Sequence, residues 1–231
     1  MLGLGVLLPA LKRQYSVIHV TDGAPRSEAR WPEYAALRRT EFQAALEAAG
    51  GADGLILSLD CPDQQSAFQI ANIAERLTAI FNELRPSLVF THAYEGGHPD
   101  HDSTAAAVHA AIRMTKAPCA LAEFAGYHAR DGHMECECFL DRVGDAWPGP
   151  LTHSEKEWKR AVLDRYKSQA EVIAQFPLNF EPLRKAPRYD FARPPHEGSL
   201  HYEWFNWGVR GDQWRALARE AFRQLGLPCE C

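Results

Sequence analysis

Apolar runs of strand length alternate along this chain with longer stretches of helical periodicity, which is the pattern of β-α-β units around a largely parallel sheet. Tyr15-Ser16-Val17-Ile18-His19-Val20-Thr21 reads as a strand closed by the turn formers Asp22-Gly23. Residues 33–49 read as a helix with Ala36, Leu37, Phe42, Ala45 and Leu46 on its inner face, stopped by Gly50-Gly51. The sequence repeats with Leu55-Ile56-Leu57-Ser58-Leu59 as a second strand and residues 66–84 as a second helix ended by Arg85-Pro86. Ser87-Leu88-Val89-Phe90-Thr91 then leads through a short polar loop to an Ala-rich helix over 102–114. Three such units predict an α/β fold: a Rossmann-like three-layer sandwich with a mostly parallel sheet, in a single domain.

Beyond Pro118 the pattern predicts two strands, 120–127 and 133–140, joined at Asp131-Gly132 as a hairpin or sheet edge. A helix over 154–175 follows, with Trp158, Ala161, Val162, Tyr166, Val172 and Ile173 inward. Residues 176–199 carry five prolines and no clear period, so they read as a long surface loop before a terminal helix near 212–225. Residues 1–11 are apolar but follow no basic residue, so they read as the rest of a buried helix and not as a signal peptide.

With 231 residues, 46% of them hydrophobic, the chain is long enough for one sizeable core. Its formal charge of -5, without a clustered Lys/Arg stripe, argues against nucleic acid as a partner. No apolar run approaches the roughly 20 residues of a membrane span, so the body reads as soluble. Six cysteines without a secretory signal suggest reduced thiols in the cytoplasm. Cys136/Cys138 and Cys229/Cys231 lack the Cys-x-x-Cys spacing of structural zinc sites and read as ordinary strand and tail cysteines.

The chemistry concentrates in Thr91-His92-Ala93-Tyr94-Glu95-Gly96-Gly97-His98-Pro99-Asp100-His101-Asp102, between a strand and a helix. In an open α/β sheet, ligands bind at the carboxyl ends of strands, where this loop begins. Two histidines three apart, with an aspartate between, offer one imidazole to a metal and one to a reacting group. The plain alternative is a capping turn in which Asp102 or Ser103 caps the helix and the histidines face solvent.

Gly97-His98-Pro99-Asp100-His101 resembles the second signature, Gly-His-Pro-Asp-His, of the LmbE/PIG-L deacetylase family at every position. Val20-Thr21-Asp22-Gly23, Arg38-x-x-Glu41 and Tyr166-Lys167-Ser168-Gln169 resemble the family's other markers in order, so the likeness runs to about Ile173. The resemblance implies a Rossmann-like fold and zinc-dependent hydrolysis of an N-acetyl group, on an N-acetylglucosamine-type or related small molecule. It implies that His101 is a zinc ligand, that His98 donates to the oxyanion or leaving amine as an imidazole titrating near neutral pH, and that Asp100 orients a neighbouring histidine.

On the substrate side, Asp22 borders the cleft or simply forms its turn, and Arg38 binds a substrate hydroxyl or phosphate or pairs with Glu41. Tyr94 and Glu95 are placed to touch a sugar. Tyr202, Trp204, Phe205, Trp207 and Trp214 form either an aromatic platform or core packing. His19 and His92 lie at strand positions from which they could approach the site; His109, His128, His133, His153, His196 and His201 read as structural or surface.

The family's first motif, His-Pro-Asp-Asp-Glu, precedes a Leu-Gly-x-Gly-like helix start, and this chain opens Met1-Leu2-Gly3-Leu4-Gly5. Aligned so, the first strand, two zinc ligands and the aspartate base would stand before Met1. Met1 is then an internal methionine of a longer reading frame, the reading favoured by the intact second motif, or the start of a truncated relative. Either way activity of this chain is expected to be impaired. The alternative class is a catalytically inactive Rossmann-like binding or scaffold protein. Homo-oligomerisation is left open.

Overall fold

The computed structural model describes residues 3–11, 15–51, 54–141 and 149–230. In chain order its elements are β1 (Ser16–Pro25), α1 (Trp31–Ala48), β2 (Leu55–Asp63), α2 (Ile70–Leu84), β3 (Leu88–His92), α3 (Pro99–Met114), β4 (Ala120–Phe124), β5 (Tyr127–Arg130), β6 (His133–Cys136), α4 (His153–Leu163), α5 (Ala170–Ile173), β7 (Leu183–Lys185) and α6 (Gly211–Gln224). They gather into two compact units, Met1–Asp63 with Ala146–Pro182, and Gln64–Asp145 with Leu183–Cys231. The fold is mixed α/β, and its sheets are small.

In the first unit β1 and β2 pair in parallel, in register from Ser16↔Leu55 to His19↔Ser58, with irregularities beyond. Helix α1 buries Ala35, Glu41, Ala45 and Leu46, whereas Leu37, expected on its inner face, is exposed. Ala45 and Ala49 pack with Val162 of α4, and Trp158 and Tyr166 lie against them. Helix α4 begins with a capping box between Thr152 and Glu155, which satisfies amides that the first turn leaves without partners.

The single helix expected over 154–175 is interrupted. After Leu163 the chain leaves helical geometry at Tyr166, makes a 3-10 turn over Lys167–Gln169, and resumes as the four-residue α5. The cause is Glu41, whose carboxylate accepts hydrogen bonds from the Ser168 amide at 2.7 Å and the Ser168 hydroxyl at 2.6 Å. An amide committed to a buried carboxylate cannot also serve the helix ladder. The start of the chain also departs from expectation. Residues 3–11 form turns and a short 3-10 helix over Leu8–Leu11, which itself buries no residue, where a buried helix was expected; Met1 and Leu2 lie outside the described residues. Pro9 lacks the amide a longer helix would require there.

In the second unit β3 and β4 pair in parallel from Leu88↔Ala120 to His92↔Phe124, and β7 adds antiparallel to β4. Helix α2 buries Ile70, Ile73, Ala74, Leu77 and Phe81, one apolar stripe at helical spacing. It stops at Arg85, which takes a left-handed conformation before Pro86. Helix α3 is buried nearly all round, and its alanines let α2 and α6 approach closely. Trp214 of α6 is fully buried, with its indole N–H donating to Ser103 at 2.9 Å.

The hairpin expected around Asp131-Gly132 forms, but between β5 and β6; both turn residues have positive φ, 50° and 78°. Residues 120–127 are not one strand: β4 ends at Phe124, because the amides of Gly126 and Tyr127 turn to the Glu95 carboxylate at 2.8 and 3.1 Å. The stretch 176–199, expected as structureless loop, contributes β7. No helix among the described residues is long and apolar enough to cross a membrane.

Candidate active site

The loop between β3 and α3 is held by its own carboxylates. Asp102 Oδ1 accepts the amides of Glu95 and Gly96 at 3.2 and 3.1 Å, folding the loop back onto the helix start. Gly97 is there because nothing larger fits: a Cβ at this position would lie 1.9 Å from the Tyr127 carbonyl oxygen. The N-cap of α3 is His98, ahead of both candidates, Asp102 and Ser103, named in the capping alternative.

His98 Nδ1 accepts the Asp100 amide at 3.1 Å. An amide can only donate, so in the neutral ring the proton sits on Nε2, which becomes a hydrogen-bond donor. Burial, with His92 and His201 nearby, pulls the His98 pKa down to about 3. This corrects the expectation of an imidazole titrating near neutral pH: His98 is a neutral donor across the physiological range. Asp100 plays another part than expected too. Its carboxylate accepts from the amides of Gln64 and Ser66 and the Ser66 hydroxyl, and it stands 3.9 Å from His98 Nδ1, beyond hydrogen-bond reach. It is the Asp100 backbone, and not its side chain, that orients His98.

His101 is one turn further along the helix. Its Nδ1 is buried without a hydrogen-bond partner, and burial, with His98 beside it, holds its pKa well below the ordinary range. The His92 ring stacks on it, centroids 4.0 Å apart and planes 8° from parallel, and His92 Nδ1 is likewise buried without a partner. Trp207 lies 4.6 Å from the His98 ring and stacks on the exposed Phe205. His201 bonds to the loop twice, its amide to Gly96 O at 2.9 Å and its Nδ1 contacting Gly97 O at 3.1 Å.

The aromatic cluster therefore divides. Tyr202 and Trp214 are core, whereas Trp204 and Phe205 are exposed and Trp207 is half-buried. Tyr94 and Glu95 turn inward and do not present themselves to a sugar: Tyr94 stacks on Trp214 with its hydroxyl on Arg193 O, and Glu95 is only 1% exposed. His92, which could approach the site from its strand, and Trp207, weighed as platform or core, join the site, as does His201, which reads in the sequence as structural or surface. His19 instead packs edge-on against Phe42 in the first unit.

Also in the first unit, Asp22 closes its own turn, accepting the Ala24 amide and pairing with Arg26 at 2.7 Å. Arg38 does not form the surface pair with Glu41; Ser168 takes Glu41, and Arg38 Nε and Nη1 are buried without hydrogen-bond partners beside Gly23. Two of the motifs singled out in the sequence, Arg38-x-x-Glu41 and Tyr166-Lys167-Ser168-Gln169, thus meet through one carboxylate.

A family model described as PIG-L, GlcNAc-PI de-N-acetylase, matches residues 2–112. Residues 2–112, just under half of the chain, are thus similar to the PIG-L family. The PIG-L match ends within α3, short of the likeness to about Ile173 read from the motifs. No curated protein matches the chain significantly. Solved structures resemble it at the level of the fold. A deacetylase of the teicoplanin biosynthesis pathway has a TM-score of 0.55 at 21% identity, over 77% of this chain and 83% of that one. Teicoplanin deacetylase in a zinc-inhibited form gives a TM-score of 0.51 at 19% identity, over 80% and 94%. The N,N'-diacetylchitobiose deacetylase of Pyrococcus horikoshii gives 0.52 at 16%, over 80% and 79%.

Proposed function

We propose that this chain is built to hydrolyse an N-acetyl amide on a small molecule, of the N-acetylglucosamine type or related. The observation that carries this reading is the His98 donor. Water attack on an acetamide carbonyl places negative charge on the carbonyl oxygen, and a fixed neutral N–H aimed at that oxygen stabilises it without reorganising. His98 Nε2–H is such a group, with its tautomer fixed by the Asp100 amide. The depressed pKa favours this donor role over protonation of the leaving amine, because the imidazolium is scarcely populated at neutral pH. Exposed Phe205 and half-buried Trp207 offer a face to a sugar ring. In the first unit, taken by itself, the unpartnered nitrogens of Arg38 suit a hydroxyl or phosphate.

Zinc enters this reading as the family's cofactor, with His101 as one ligand. A catalytic zinc takes three protein ligands, each presenting an in-plane lone pair. His101 and His92 are neutral and unpartnered, as ligands must be, but their parallel rings aim lone pairs side by side and not at one point. They do not by themselves make a complete zinc site. Weak retention of zinc and impaired turnover are accordingly part of the proposal. The incomplete donor set also favours the second reading, a non-catalytic Rossmann-like binding or scaffold protein. The fold proposed with the first reading is a Rossmann-like three-layer sandwich acting as one domain, with a match to residues 2–112 that runs from one unit into the other in support. A cytoplasmic setting, without nucleic acid, accompanies it.

The test is acetate release from a panel of N-acetylated amino sugars, with zinc supplied. Wild type should release acetate, and His98→Ala should lower the rate by about 10²–10³, the usual cost of one oxyanion donor. No release across the panel, or an unchanged rate in His98→Ala, overturns the reading and leaves the binding protein.

A further inference from the structure

His128 and Glu135 are directly opposed residues of the β5–β6 ladder, so their side chains share one face of the hairpin. His128 is fully buried, and its Nε2 lies 3.2 Å from Glu135 Oε2. Along a regular strand, Cys138 would fall on the opposite face from Glu135, three positions on. Glu137 prevents that: its φ of 60° is a left-handed conformation that a non-glycine residue adopts at a cost. The kink brings the Cys138 sulfur round, so that one ligand atom from each of His128, Glu135 and Cys138 lies within 4.8 Å of the others.

A second observation comes from the far side of the His128 ring. Glu95 is buried, its Oε1 is fixed by the amides of Gly126 and Tyr127, and its Oε2, 3.6 Å from His128 Nδ1, has no hydrogen-bond partner. A metal-bound histidine normally donates its other ring N–H to a carboxylate, which fixes tautomer and orientation. Glu95 stands where that carboxylate belongs.

We propose that His128, Glu135 and Cys138 form a binding site for a borderline-soft divalent cation, zinc by preference, separate from His101. Imidazole, thiolate and carboxylate are the three ligand types zinc accepts, and a fourth position is left to water. Ligand atoms of a tetrahedral zinc site stand about 3.3–3.8 Å apart, so the three side chains need draw in by only about 1 Å. Arg130, whose Nε lies 2.5 Å from Glu135 Oε2, faces the same carboxylate and offsets part of the negative charge of the ligand set. Its guanidinium would yield that oxygen to the cation and keep its bond to Leu140 O. This inference does not rest on the proposed deacetylation.

Cobalt(II) titration of the full chain under reducing conditions tests it, because a thiolate ligand gives cobalt a charge-transfer band in the near ultraviolet. The band should saturate at one equivalent, vanish in Cys138→Ser and persist in His101→Ala. Glu135→Gln should weaken binding by about tenfold or more. Absence of the band from the folded wild type, or its persistence in folded Cys138→Ser, overturns the proposal. Should Cys138→Ser fail to fold, alkylation of the wild-type chain decides: zinc should shield Cys138 while Cys119 reacts unchanged, and equal labelling of both with and without zinc overturns it.

Discussion

Replacing Gly97 with alanine puts the packing of the catalytic loop to a quantitative test. The new methyl would stand 1.9 Å from the Tyr127 carbonyl oxygen and 3.0 Å from its carbon. Carbon and oxygen do not approach within 3.0 Å at such a position, so the β5 backbone must retreat by more than about 1 Å. Overpacking of this kind costs about 1–3 kcal/mol. The retreat also pulls the Tyr127 amide from Glu95, a buried bond whose loss adds about 1–3 kcal/mol. A total of about 2–6 kcal/mol lowers Tm by about 4–24 °C in a chain of this size. Thermal unfolding followed by circular dichroism reads the shift against two controls. Gly132→Ala has open space but a φ of 78°, so it should lose only about 1–2 kcal/mol to the left-handed backbone. Gly149→Ala meets no atom within 4 Å and should change Tm by less than about 1 °C. A Gly97→Ala protein that melts within about 1 °C of wild type would refute the close approach of the loop to Tyr127.

In the first unit, Ser168→Ala should cost about 1–3 kcal/mol in urea unfolding, because it leaves the buried Glu41 carboxylate without one of its donors; a neutral substitution would show that Glu41 does not organise the break between α4 and α5. Stability should also fall with acid. The folded pKa of His98 is about 3, below the ordinary 6.5, so the folded chain refuses a proton that the unfolded chain accepts. The stability this contributes is complete above pH about 6.5 and lost at up to about 1.4 kcal/mol per pH unit as pH falls towards 3. His98→Gln should flatten that slope in a urea titration across pH, and an identical slope in both proteins would sink the assignment.

The strands and helices that carry their own apolar period were legible in the sequence. α2 and α6 each bury one apolar stripe at helical spacing, and the Asp131-Gly132 turn fixed the hairpin. What escaped the sequence was decided by single long-range hydrogen bonds. Glu41 breaks a helix 127 positions away through Ser168, and Glu95 ends β4 by capturing the amides of Gly126 and Tyr127. Local period carries no trace of a partner so remote. The same holds for the site. The stretch from Thr91 to Asp102, His92 included, announced itself by its density of polar groups, whereas His201 and Trp207 are joined to it only by folding. Tyr94 and Glu95 misled because proximity in sequence to a functional loop says nothing about which way a side chain turns.

The imidazoles of His92, His98 and His101 are each pushed towards their neutral form, chiefly by burial. Asp102 and Glu95 are pushed up, again by burial first, so the acids beside them also favour the uncharged state. His98 therefore acts as an oriented dipole and not as a charge. A substrate stabilised by oriented dipoles in a buried site should be nearly blind to salt, whereas one steered or held by exposed ions should not. Between about 0.1 and 1 M salt the Debye length falls from about 10 to about 3 Å. Acetate release from an uncharged N-acetyl sugar should change by less than about threefold over that range. A fall of about tenfold would mean that exposed charge, and not the His98 donor, governs the rate.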